Sequence, residues 1–144
     1  MVFFLLCSCA GEDECALSGF STVSYGTSFG NCEGYCIKEI HIQENMVNFQ
    51  KTAHNDKSTY PDFTCDDVFP GFEGLKSEIL LNDFCKMAGT IGCPDCTDQG
   101  AEWVEISNGT HALRVTFEHN NAPGEFINFI ENLRFYLQRM EASC

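Results

Sequence analysis

Basic residues are the first scarcity. Eight Lys and Arg face 21 Asp and Glu in 144 residues, a formal net charge of −13. So acidic a chain repels phosphate backbones and anionic headgroups, which excludes nucleic acid as a partner and a membrane bound by charge alone. Long apolar runs are also missing: the apolar start, Met1 to Leu6, is far below the ~20 residues a helix needs to cross a bilayer, so no transmembrane anchor is expected. No internal repeat is present beyond the crude similarity of two hairpin-plus-helix halves. No set of acid, base and nucleophile stands at motif spacing, so no reaction is indicated and an enzyme is not expected. What remains is an ordinary globular composition, 44% hydrophobic and 12% aromatic. At this length folding buries roughly two-thirds of the chain's surface, enough for one domain with a real core.

Cysteine is the exception to this scarcity, with ten copies. Cytosolic chains seldom carry so many without a metal, whereas exported chains keep them as disulfides. The N-terminus points the same way. Leu6 and Ser8 ahead of Cys9 resemble a bacterial lipobox, which makes residues 1–9 a leader and Cys9 the expected site of lipid attachment. The usual basic opening is absent, so the true start is expected upstream of Met1. Residues 10–18 then form a polar tether, and 19–144 a single α+β domain. With Cys7 and Cys9 set aside, Cys15, Cys32, Cys36, Cys65, Cys85, Cys93, Cys96 and Cys144 are an even set of disulfide candidates. Their connectivity is open.

Periodicity supplies the fold class. Phe20–Tyr25 reads as a first strand. Cys36–Ile42 alternates with Ile40 and Ile42 on one face, Glu44-Asn45 turns, and Met46–Ala53 returns with Val47 and Phe49 inward. Residues 54–73 hold Pro61, Pro70 and several acids and read as a long connection. From Glu73 to Ala88 the pattern suits a helix broken near Asn82. Ala101–Ile106 alternates, Ser107-Asn108-Gly109-Thr110 turns, and Leu113, Val115 and Phe117 line the return strand. After Pro123, the stripe Phe126, Ile130, Leu133, Leu137 and Met140 marks the core face of a last helix. The expected architecture is two-layer α+β: a mainly antiparallel sheet of four to five strands with two helices on one face, in the order β-β-β-α-β-β-α.

Two loops concentrate unusual chemistry. The first, Ser24 to Cys36, holds three glycines, Tyr25, Tyr35 and a CxxxC; the second, Gly92 to Trp103, holds a CxxC, Asp95, Asp98, Glu102 and the single tryptophan. Both precede strands. They meet at one edge of the sheet if those strands neighbour each other in the parallel sense and lie apart otherwise; Tyr25, Tyr35, Asp95, Asp98, Glu102 and Trp103 are the residues expected to line a ligand edge. Three readings of Cys32, Cys36, Cys93 and Cys96 compete. Disulfides, within or across the loops, are the leading one and need no cofactor. A four-thiolate zinc site is the second. Thiol–disulfide exchange at Cys93-Pro94-Asp95-Cys96 is the third, opposed by the lack of a following helix and by the nearby acids. Elsewhere, His41, His54, His111 and His119 have no metal spacing. Asp62, Asp66, Asp67 and Glu73 lack the order of a calcium loop.

The motifs SFGNCEGYC (Ser28–Cys36) and GCPDCTDQGAEWVEI (Gly92–Ile106) resemble those of an uncharacterised family of small bacterial proteins, many exported or lipid-anchored. More distantly, they are similar to domains of unknown function with a CFGxCPxY opening. The resemblance spans roughly residues 20–140 and implies an α+β domain in the cell envelope. It carries no activity. Gln99 stands where a small residue is expected.

Overall fold

A computed structural model describes Cys15 and residues 17–144. The leader reading of residues 1–9, with lipid attachment at Cys9, lies outside them. The chain runs β1 (Thr22–Ser28), β2 (Tyr35–Gln43), β3 (Met46–Ala53), β4 (Phe63–Val68), α1 (Phe72–Ser77), α2 (Leu81–Met87), β5 (Gly89–Thr90), β6 (Ala101–Ser107), β7 (Ala112–Glu118) and α3 (Ile127–Ser143). A single 3-10 turn at Gly124–Phe126 leads into α3.

One sheet holds all the strands in the order β4-β3-β2-β1-β6-β7-β5. Pairing is antiparallel except where β5 runs parallel to β7. In register, Val23 lies between Ile42 and Ile106, and Tyr25 between Ile40 and Val104. Side chains alternate along a strand, so these residues share one face. Phe129, Ile130, Leu133, Leu137 and Met140 of α3 join them in the core, with Phe72, Leu75 and Phe84 from α1 and α2. The opposite face is a polar lattice in which Ser24 Oγ meets His41 Nδ1 at 2.8 Å and Arg114 Nε donates to Glu105 at 2.9 Å.

The α+β class and the helices on one face are as the sequence implies, but the sheet has seven strands rather than four to five. The connection expected over residues 54–73 contains β4. This strand sits at the sheet's edge, where Thr64, Asp66, Asp67 and Val68 are exposed, and only Phe63 and Cys65 pack against the core. The helix expected over 73–88 with a break near Asn82 is two helices, and the break falls earlier, with Leu80 extended between them (φ −85°, ψ 104°). A straight helix would carry Phe84 roughly 140° around from Ile79. The break returns both to the core, where Ile79 is 7% and Phe84 2% exposed.

β1 also begins and ends later than expected and takes Gly26, Thr27 and Ser28 out of the first loop. Gly26 is required there, since a Cβ would overlap the Trp103 ring. At the other end of the first loop Gly34 turns with φ +86°. The end of the expected tether packs on the domain. Leu17 is 2% exposed and Cys15 is bonded to Cys85. Among the described residues no helix is long and apolar enough to cross a membrane.

Candidate functional site

The sheet order decides whether the two cysteine loops meet. β2 and β6 are not neighbours, but both pair antiparallel with β1 and therefore run in the same direction. Ser28, the last residue of β1, pairs with Ile37 on one side and with Ala101 on the other. The segments 29–34 and 91–100 consequently leave the sheet side by side.

Asp95 clasps them together. Its Oδ2 accepts from Gly30 N of the first loop at 2.9 Å, and its Oδ1 accepts from Gly100 N at 3.1 Å. Asp95 N donates to Gly100 O at 3.1 Å. The aspartate holds φ +57°, a left-handed backbone that Asp tolerates better than most residues. Below the clasp, the Phe29 ring fills the space a Cβ on Gly100 would occupy, and it meets the His119 ring edge-on at 4.9 Å. His54 Nε2 reaches Phe29 O at 2.9 Å. The second loop is tied a second time where Cys93 N donates to Glu118 Oε1 at 3.1 Å. The Glu118 carboxyl is held below its ordinary range by the Asn121 side chain and then by that Cys93 amide.

All eight cysteines of the described residues are paired: Cys15–Cys85, Cys32–Cys36, Cys65–Cys144 and Cys93–Cys96. The loops are closed internally and not to each other. In the loop-entropy picture each short ring stabilises the fold by only about 2 kcal/mol, against about 4.5 kcal/mol for the links spanning 70 and 79 residues. The short rings therefore stiffen the loops more than they hold the fold. Among the described residues no group of three or more His, Cys, Asp or Glu is placed to hold a metal ion. Asp62 pairs with Lys57, Asp66 with Asn48 and Glu73 with Lys76, so the acids considered for calcium are dispersed.

Beneath the loops Glu102 is fully buried on the core face of β6. Tyr25 Oη donates to Oε2 at 2.7 Å, and Arg134 of α3 forks across both oxygens, Nε to Oε2 and Nη2 to Oε1, each at 3.0 Å. Asn120 N donates to Oε1 at 2.7 Å. His119 Nδ1 lies 2.9 Å from Oε1 but is not aligned as a hydrogen bond. Burial, reinforced by the Glu102 carboxylate, pushes the Tyr25 phenol well above its ordinary range. For Arg134 burial acts to lower the pKa, and the hydrogen-bonded carboxylate more than reverses it. With both oxygens occupied, Glu102 is an anchor between sheet, helix and the turn after β7, and no open face is left for a substrate proton.

The expected ligand edge is thus only partly assembled. Asp95 and Asp98 stand in the second loop, whereas Tyr25 and Glu102 lie beneath it in the core. Tyr35 stays at this end of the sheet but packs towards Tyr60, with its Oη donating to Pro61 O at 3.0 Å. Trp103 faces the opposite side of the sheet, flat over Gly26, with the Arg114 guanidinium 5.3 Å from its ring. Sequence reasoning missed Gly30, Phe29, Glu118, His119 and Arg134. Arg134 had a signal, since it sits one position past Leu133 and four past Ile130, beside the apolar stripe of α3. No family model matches the chain, and no curated protein matches it.

Proposed function

We infer that this chain is an exported, non-enzymatic domain, stiffened by disulfides, that presents the Asp95-clasped loop edge as a rigid binding surface. The observation that carries this is the pairing of every described cysteine, with two of the four bonds spent on the loops rather than on the fold. Such bonds persist in an oxidising, extracytoplasmic compartment. The bacterial cell envelope, a lipid on Cys9 and kinship with the exported family that the two motifs resemble complete the reading. Membrane contact then runs through the lipid alone, and the net charge of −13 keeps nucleic acid away.

The clasp supports a binding role because loops ordered before contact lose little freedom on binding. The occupied oxygens of Glu102 support the absence of catalysis. Mass spectrometry of the mature protein tests the whole reading. An acylated N-terminal Cys9 and eight cysteines oxidised in pairs are expected. An unmodified Met1 with eight or more free thiols overturns it, and stoichiometric zinc that is lost in Cys93→Ser would put a metal protein in its place.

A further inference from the structure

The four disulfides differ in how an outside thiol can reach them. Cys93 and Cys96 are both exposed, whereas Cys36 is 2% exposed and its partner Cys32 half-buried. Cys15 and Cys85 are half-buried, Cys15 packing against the core; in the fourth pair Cys65 is half-buried against the core while Cys144 is exposed. Among the described residues, only the Cys93–Cys96 pair has both of its cysteines exposed. It also closes a ring of four residues, so opening it leaves the core and the long links in place.

What the ring encloses matters more. Asp95 lies inside it, with left-handed backbone, and makes the hydrogen bonds that join the two loops. Cys96 N donates to Cys93 O at 3.3 Å within the same turn, and Cys93 N is fixed to Glu118. Opening the ring frees Asp95 to relax towards ordinary backbone and withdraw its carboxylate from Gly30. The acceptor of the Gly30 amide would then be water.

We propose that Cys93–Cys96 is a redox-controlled latch: a dithiol reductant opens this bond selectively and thereby releases the Asp95 clasp between the two cysteine loops. In the reaction one thiolate of the dithiol attacks a sulfur of the pair, the S–S bond breaks, and the other cysteine leaves as a thiolate. The second thiolate of the reductant then attacks its own sulfur in the mixed disulfide. The reductant becomes a disulfide, and two electrons and two protons end on Cys93 and Cys96. This names the regulation of the binding edge and rests on that reading for its meaning, but its test requires no ligand.

Full-length protein, with any free thiol blocked beforehand, is treated with limiting dithiothreitol, alkylated and mapped by mass spectrometry. Cys93 and Cys96 are expected to be alkylated first, with the other three pairs intact and circular dichroism unchanged. Exchange of the Gly30 and Gly100 amides should then be about tenfold faster, while β1 and β6 amides hold. A Cys93→Ser/Cys96→Ser double variant should show the same fast exchange without reductant. Earlier opening of any other pair, or unaltered exchange at Gly30 and Gly100 in both the reduced protein and the variant, overturns the latch. Free thiols throughout the untreated protein sink the export reading, whereas a fully oxidised protein whose Cys93–Cys96 bond resists the dithiol sinks the latch alone.

Discussion

The helical cover and the cysteine-loop edge are each closed by two disulfides, yet the bonds do different work in the two places. On the cover, Cys15–Cys85 fixes the N-terminal segment to α2, and Cys65–Cys144 fixes the end of α3 to the edge strand β4; these links span 70 and 79 residues. At the loop edge the separations are 4 and 3. Long links limit the unfolded chain, while short rings chiefly limit local backbone. A protein that needed only stability would gain more by joining the loops to each other. The pairing is local, so those four cysteines restrain loop backbone more than they stabilise the fold, and Asp95 makes the join between the loops.

Stability measurements should separate the two regions clearly. Replacing Cys65 and Cys144 together by Ser is expected to lower unfolding stability by about 4.5 kcal/mol, read as a fall in the urea midpoint. Glu102→Ala strikes the anchor shared by both regions, because it removes the buried carboxylate that Tyr25, Asn120 and Arg134 share and leaves Arg134, whose side chain is 15% exposed, with only its outer partner Glu131. A loss of about 3–4 kcal/mol follows for breaking such a buried pair, and α3 should loosen together with the turn at Asn120. The Cys93→Ser/Cys96→Ser change should cost no more than about 2 kcal/mol in the same urea titration. A loss as large as that for the long link would mean that the short ring holds the fold after all.

Two pH effects extend the contrast. The folded state raises the Tyr25 phenol above its ordinary 10.0, so it favours the neutral form. That contribution is complete below about pH 10 and is lost as pH rises further, when the unfolded chain ionises. Tyrosinate absorbance followed through an alkaline titration should withhold one tyrosine until the protein unfolds. Glu118 has the opposite sign and the smallest effect. Its lowered carboxyl contributes above the ordinary 4.5, and the contribution goes as pH falls through the lowered value. In acid the Cys93 amide should therefore exchange faster before the core strands do.

Much of this architecture was legible because burial imposes a period. β3 runs Met46–Ala53 as the alternation of Val47 and Phe49 implies, and every member of the α3 stripe from Phe126 to Met140 is buried. The turn residues are equally readable: Asn108 Oδ1 accepts from the Thr110 and His111 amides, and Gly109 takes φ +88°. The edge strand β4 was not, because only Phe63 and Cys65 of its six residues pack against the core, too few to show a period. Nor was the site. Glu102 and Trp103 are adjacent in a strand and must face opposite sides of the sheet, so a shared ligand edge was untenable once Ala101–Ser107 was a strand. The partners of Glu102 come from β1, α3 and the turn after β7, and nothing local in the chain brings those together.

Disulfide mapping of the oxidised protein, taken from the compartment where its own cell keeps it and digested without reduction, is the most direct check. Peptides joined as Cys15–Cys85, Cys32–Cys36, Cys65–Cys144 and Cys93–Cys96 are expected. Free thiols at these positions, or bonds running from one loop to the other, would contradict it.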